Sequence, residues 1–75
     1  MKVKVGDIVL LSSDKNNFDT IGLPHYLLGH KVKIMKNMGG FFRYKIYING
    51  SSWFFDNEQI ERVIPEIYNW KKILG

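Results

Sequence analysis

The segment from residue 22 to residue 34, GLPHYLLGHKVKI, most constrains how this chain can fold. Its first half is rich in turn formers: Pro24 favours an extended residue before it, and Gly29 permits backbone angles that other residues resist. Its second half alternates lysine with an aliphatic residue, which places Val32 and Ile34 on one face of a strand. We therefore expect a long, ordered loop that leads directly into a half-buried strand.

Size and cysteine content limit what can stabilise this fold. The chain has 75 residues, 45% of them hydrophobic, and no cysteine, so neither a disulfide nor a thiolate metal site is available. His25 and His30 are too few for a zinc site, which needs three or four protein ligands. No nucleophile with an adjacent base is apparent. We expect a small apolar core, no metal, no cofactor and no enzymatic activity.

Strand patterns continue on both sides of the opening segment, with turn signals between them. Asn49-Gly50 is the strongest of these signals, because a type I′ turn needs two residues that accept positive φ. Asp56 is placed to cap a single helical turn. The predicted strands cover residues 2–11 with a bend at Gly6, 31–36, 41–48, 51–55 and 60–64.

Apolar residues on these strands and in the long loop make up the predicted core. Strand alternation gives the core residues Ile8, Leu10, Val32, Ile34, Ile46, Ile48, Ile60 and Val63. A loop that spans residues 12–30 needs anchors of its own in a compact domain. We expect these anchors to be Phe18, Ile21, Leu23, Tyr26 and Leu27.

The last eleven residues, 65–75, have the pattern of a short helix. Pro65 suits the first turn, and Ile67, Trp70 and Leu74 share one face by their spacing. Such a helix is marginal alone, so it must dock on the rest of the chain or on a partner. We predict one domain over residues 1–64 and a helical tail over 65–75.

The order of elements is similar to that of SH3-like barrels, and several motifs carry a closer resemblance. VGDIV at 5–9, the segment 22–34, Trp53 and EQIERV at 58–63 resemble the SH3-like domain of nitrile hydratase β subunits. The Pro24-His25 pair resembles the stand-alone phage-encoded barrels of the YorP type. The resemblance implies an SH3-like small five-stranded barrel with a long first loop. With the predicted tail, the expected fold class is an all-β, SH3-like barrel with a short C-terminal helix. It also implies an accessory or binding role, since the nitrile hydratase metal ligands belong to the other subunit.

The aromatic content supports a first hypothesis, a protein-binding module. A barrel of this size cannot bury all eleven aromatic residues, and exposed aromatic clusters often mark interfaces. The predicted protein-binding residues are Tyr26, Phe41, Tyr47, Trp53 and Trp70. The resemblance to phage proteins makes a host protein or defence complex the specific partner, bound by an inhibitor or modulator. A homodimer through the helical tail, or a tail that only caps the barrel, remains open.

The charge pattern supports a second hypothesis, a nucleic-acid-binding barrel. The net charge is +4, and the first fifty residues carry most of the positive charge. Basic side chains alternate on neighbouring strands beside rings that can stack on bases. The predicted nucleic-acid-binding residues are Lys31, Lys33, Lys36, Arg43 and Lys45. Lysines that merely solubilise strand faces explain the same pattern.

The apolar runs of the chain indicate where the protein resides. None approaches the length of roughly twenty residues that a membrane-spanning helix needs, and the first residues lack the apolar region of a signal peptide. We expect a soluble, cytoplasmic protein without membrane contact, in the cytoplasm of a bacterial host if a phage encodes it.

Overall fold

The computed structural model describes residues 3–64 and the backbone of residues 73–74, and it is mostly β. The sequence prediction of an all-β chain agrees with these elements. In chain order the elements are β1 (Ile8–Leu11), α1 (Lys15–Asp19), a 3₁₀ turn (His25–Leu27), β2 (Lys31–Lys33), β3 (Lys36–Asn37), β4 (Tyr44–Ile48), β5 (Ser51–Phe55), a second 3₁₀ turn (Asn57–Gln59), β6 (Ile60–Ile64) and β7 (Ile73–Leu74).

The strands form two small sheets. The first sheet has the order β6-β1-β2-β7 and is antiparallel except where β7 runs parallel to β2. The second sheet is antiparallel with the order β3-β4-β5. Among the described strands the hydrogen-bonded ladders therefore form two separate sheets, and they do not close into the single five-stranded barrel that the sequence predicts.

The strand predicted at residues 31–36 is divided between the two sheets, which corrects the prediction. The Ile34 N–H donates to the Asp7 carbonyl at 2.9 Å, whereas the next N–H, that of Met35, donates to the Lys45 carbonyl at 2.9 Å. Ile34 thus belongs to the side of the first sheet and Met35 to the second. The chain changes sheets between these two residues.

Two other predicted strands are shorter than the sequence pattern indicates. The first begins at Ile8, because Gly6 adopts a φ of 93° and turns the chain. The third begins at Tyr44, because Phe42 has a φ of 52° and lies in a turn. Strand alternation cannot continue through a residue in the left-handed region. Phe41 and Phe42 therefore leave the strand faces to which the pattern assigns them.

Most of the predicted core is buried, and alternation identifies it correctly in β2 and β4 but not in β1, where Val9 and Leu11 are fully buried. Val32, Ile34, Ile46, Ile48, Ile8 and Ile60 are all buried. Leu10 is only half-buried and lies outside the core, so its assignment is wrong, whereas the half-buried Val63 packs against the core. Among the described residues the core also includes Val3, Val9, Leu11, Phe18, Leu23, Leu27, Tyr44, Phe55 and Ile64.

The turn chemistry is confirmed at both predicted positions. Asn49 and Gly50 have φ values of 51° and 80°, as a type I′ turn requires, and they join β4 to β5. Asp56 caps the second 3₁₀ turn: its side chain accepts from the Asn57 N–H, and Gln59 Oε1 accepts from the Asp56 N–H at 2.8 Å. This reciprocal cap fixes the path of the chain from β5 into β6.

The predicted C-terminal helix is corrected at its end. Ile73 and Leu74 form β7, whose backbone is paired with Lys31 and Val32. A helix that continues to residue 75 is therefore wrong. Residues 65–72, with Trp70, lie outside the described residues. The described part of the chain contains no helix long and apolar enough to span a membrane.

Candidate protein-binding groove and basic face

The long loop between β1 and β2 is held against the body by its own anchors. Phe18 of α1 and Leu27 of the first 3₁₀ turn are fully buried, and Leu23 is nearly so. Gln59, itself buried, donates from Nε2 to the carbonyl of Asn17 at 2.7 Å. The loop prediction is confirmed for these anchors, whereas Tyr26 stays 55% exposed and anchors nothing. The anchored loop forms a fixed wall beside β5.

A groove lies between this wall and β5, and we call it the loop groove. Its volume is about 250 Å³. The loop contributes one wall and the β5 side chains the other, with Phe42 at one end. Its lining residues are Ile21, Gly22, Leu23, Phe42, Ser52, Trp53 and Phe54. A groove with these walls fits one or two apolar side chains.

A second depression adjoins the loop groove and shares Ile21 and Phe42 with it. We call it the acidic depression, because the carboxylates of Asp56 and Glu58 line it together with Thr20, Phe41 and Gln59. Its volume is about 370 Å³. Asp56 is partly neutralised, since its Oδ1 lies 2.8 Å from Arg43 Nε, a charge contact without an aligned hydrogen bond. Glu58 is exposed to solvent.

Two adjacent phenylalanines line these depressions: Phe42 borders both, and Phe41 borders only the acidic depression. Phe41 is 92% exposed, the most exposed large hydrophobic residue in the described chain. Phe42 has a φ of 52°, which a bulky side chain adopts only at a cost in backbone energy. Strained residues of this kind cluster at binding sites. The turn thus keeps the apolar Phe41 ring in water and holds the Phe42 backbone in an unfavourable conformation.

The outer face of the second sheet carries a different chemistry, and we call it the basic face. It consists of Lys36, Lys45, Tyr47, Ser52 and Phe54. Lys36 and Lys45 are directly opposite each other across β3 and β4, which is unfavourable for like charges. Among the described residues neither lysine has a carboxylate within ion-pair distance.

Lys45 is held over two rings of this face. Its Nζ lies 4.8 Å from the centroid of the Tyr47 ring and 5.6 Å from that of Phe54. A hydrogen bond from Lys45, with smaller contributions from Ser52 and Lys36, lowers the pKa of Tyr47 below its ordinary value. The face therefore favours a negative charge at the Tyr47 hydroxyl.

The four predicted protein-binding residues that the structure describes are not brought together. Phe41 lies at the acidic depression, Trp53 lines the loop groove, and Tyr47 lies on the basic face. Trp53 faces inward opposite Ile46, half-buried against the core, with its Nε1 buried and unbonded. Tyr26 lies in the first 3₁₀ turn and lines neither depression.

The predicted nucleic-acid-binding residues are also divided. Lys36 and Lys45 are neighbours on the second sheet. Lys31 and Lys33 belong to β2 of the first sheet. Arg43 is in contact with Asp56. A basic face of two lysines is therefore all that the paired strands place together.

Sequence reasoning missed the groove residues of the long loop and Phe42. It named Ile21 and Leu23 only as anchors, although both line the loop groove. Their exposure to a groove depends on how far β5 lies from the loop, which no local pattern encodes. The positive φ of Phe42 also had no signal, because phenylalanine is not a turn-forming residue.

The two histidines take part in no metal cluster. His25 Nε2 lies 2.5 Å from Asp19 Oδ1, an exposed contact within the long loop, and His30 is exposed. No group of three His, Asp or Glu side chains with metal-binding geometry occurs in residues 3–64.

Comparison with known proteins gives no relative for this chain. No protein-family model, no curated protein and no solved structure matches it.

Proposed function

We propose that the chain is a non-enzymatic protein-binding module whose binding site is the loop groove and the adjoining acidic depression. The observation that carries the proposal is the Phe41–Phe42 turn, which keeps one ring 92% exposed and the other at a φ of 52° between two depressions. A bound partner would cover both rings. Burial of apolar area of this kind is the main source of affinity in protein interfaces.

The strand arrangement supports an SH3-like fold as part of this proposal. The segment that contains β2 and β3 crosses from one sheet to the other, so that each sheet receives one end of it. The long loop and the second 3₁₀ turn then lie on the same side as the groove. We propose an SH3-like fold of two sheets, without a closed hydrogen-bonded barrel among the described strands, on the strength of this arrangement and of the motif resemblance.

Capture of interacting proteins with a matched pair of variants tests the function. Phe41→Ser removes the exposed ring at the site, and Tyr26→Ser removes an exposed ring that lies outside it. Both rings are largely solvated, so neither change should alter folding by more than about 0.5 kcal/mol. We expect Phe41→Ser to lose proteins that the native chain and Tyr26→Ser retain. Equal capture by all three would refute the site.

A second candidate function, binding of single-stranded nucleic acid, is favoured by one specific observation. Lys45 lies over the Tyr47 and Phe54 rings with Lys36 opposite, so phosphate-binding and stacking groups meet on the basic face. Affinity for an oligonucleotide should then fall with salt. Lys45→Gln should weaken it, whereas Lys31→Gln on the first sheet should not. An affinity that is independent of salt and of Lys45 would exclude this function.

A further inference from the structure

The backbone of β5 has a free edge beside the loop groove. β5 pairs with β4 on one side, and no described strand pairs with it on the other. The Lys45 carbonyl accepts from Met35 on the β3 side, so the backbone groups of Lys45 point away from Phe54. Since antiparallel pairs alternate between bonded and non-bonded, the N–H and C=O of Phe54 point to the free edge. The same holds for Ser52, two residues before.

This edge lacks the features that normally prevent strand addition. Its sequence, SSWFF, contains no charged residue and no proline. The other described edge strands are different: β3 and β7 have only two residues each, and β6 carries Glu61 and Arg62. β5 is therefore the described strand best suited to pair with another chain.

The two sides of β5 set the chemistry of an added strand. A residue opposite Trp53 would enter the loop groove between Trp53 and the loop residues Ile21 and Leu23. Its neighbours, opposite Ser52 and Phe54, would lie on the side of the basic face. There Lys45, whose Nζ lies 5.6 Å from the centroid of the Phe54 ring on β5, has no carboxylate partner among the described residues. The groove selects an apolar side chain and the basic face selects acidic ones.

We propose that the partner of this module is an extended protein segment that alternates acidic and apolar residues and adds to β5 as a further strand. This inference rests on the proposed protein-binding function and specifies its binding mode. Main-chain hydrogen bonds to Ser52 and Phe54 give affinity, and the alternating side chains give specificity. A second copy of this chain is a poor occupant, because its own β5, SSWFF, has no acidic residue to place beside Lys45.

A synthetic peptide that alternates aspartate and isoleucine is the probe for this mode. Fluorescence anisotropy measures its affinity for the full chain, and NMR measures amide hydrogen exchange at each residue. We expect the amides of Ser52 and Phe54 to become protected on binding. A peptide of the same composition, with its aspartates and isoleucines in separate blocks, should bind at least about tenfold more weakly, because it cannot match both sides of the strand.

Two pairs of variants test the backbone contact and the charge. Ser52→Pro removes the N–H that points to the free edge, without removing a β4–β5 hydrogen bond, whereas Ser52→Ala keeps that N–H. Only the proline variant should therefore bind the peptide more weakly, by about tenfold. Lys45→Glu should lower the affinity for the aspartate–isoleucine peptide by about tenfold. It should raise the affinity for a lysine–isoleucine peptide by the same factor. Should Ser52→Pro fail to fold, amide exchange of the native chain decides.

The outcomes separate this inference from the proposed function. Peptide binding that protects neither Ser52 nor Phe54 but shifts Phe41 and Glu58 would refute strand addition and leave the protein-binding function standing. No peptide binding, together with equal capture by Phe41→Ser and the native chain, would refute both. An oligonucleotide that binds more tightly than the peptide and displaces it, or a dimer in light scattering, would also overturn strand addition.

Discussion

At the scale of single residues, Phe42 shows how this chain places binding groups where local preferences oppose them. A left-handed φ costs a non-glycine residue about 1 kcal/mol or more. Packing of the ring between the two depressions offsets part of this backbone cost, although the residue is still 46% exposed. A partner that covers the ring would supply the rest.

Replacement of Phe42 separates backbone strain from ring contacts. Phe42→Gly removes both the ring and the strain at a φ of 52°, so we expect the free energy of unfolding to change by less than about 1 kcal/mol while partner capture is lost. Phe42→Ala removes the ring but keeps the strain, and it should be less stable than Phe42→Gly by about 1 kcal/mol. Denaturant unfolding measures both. Equal stability of the two variants would show that the position is unstrained.

Tyr47 gives a pH-dependent signature of the basic face. Lys45 and Ser52 lower the pKa of Tyr47 in the folded chain. Because the folded pKa lies below the unfolded one, the phenolate contributes stability only at alkaline pH, and this contribution disappears as the pH falls through the folded pKa. At neutral pH it contributes nothing.

The source of this shift is tested by removing the lysine. Lys45→Gln should raise the pKa of Tyr47, because both the hydrogen bond from the Lys45 ammonium and its positive charge are lost. NMR titration of the Tyr47 ring resonances measures this pKa. Lys31→Gln, on the first sheet, serves as the control and should leave the titration unchanged. If the pKa of Tyr47 were the same in Lys45→Gln as in the native chain, the two side chains would not be in contact in solution.

At the scale of elements, the second 3₁₀ turn connects the two sheets to the long loop through one side chain. Gln59 is buried, accepts from the Asp56 N–H at 2.8 Å and donates to the Asn17 carbonyl at 2.7 Å. It thereby closes the cap of its own turn and fixes α1. Both groove walls depend on the Gln59 hydrogen bonds, because β5 directly precedes the second 3₁₀ turn and the groove residues of the long loop directly follow α1.

Loss of this link should destabilise the domain. Gln59→Leu leaves the Asp56 N–H without its acceptor, and the Asn17 carbonyl then keeps only the hydrogen bond from the Thr20 hydroxyl. We expect the free energy of unfolding to fall by about 2 kcal/mol. Glu58→Gln changes an exposed neighbour and should stay within about 0.5 kcal/mol of the native value. Chemical denaturation compares the two. A neutral Gln59→Leu would show that water replaces both hydrogen bonds.

At the scale of the whole molecule, two phenylalanines show how the small core depends on the loop. Phe18 is fully buried and Phe41 is 92% exposed, although neither lies in a strand. Phe18→Ala should cost about 3–5 kcal/mol, which is a large fraction of the stability of a small domain. Phe41→Ala should cost less than about 0.5 kcal/mol. Thermal unfolding of both variants measures this contrast, and similar losses would contradict the packing of the loop.

The sequence by itself determined the elements whose causes are local. The type I′ turn follows from Asn49-Gly50, the capped 3₁₀ turn follows from Asp56, and the burial of Val32 and Ile34 follows from strict alternation. These features require only near neighbours in the chain. The all-β character and the anchored long loop could be predicted for the same reason.

Only the tertiary structure decided which surfaces meet. It divided the predicted strand 31–36 into β2 of the first sheet and β3 of the second, which separates Lys31 and Lys33 from Lys45. It also put Phe41 and Tyr47 on different surfaces. It left the edge of β5 beside the loop groove unpaired by any described strand. These outcomes depend on how two sheets and a loop pack around one small core. Packing is set by contacts between residues far apart in the chain, which alternation and turn signals do not encode.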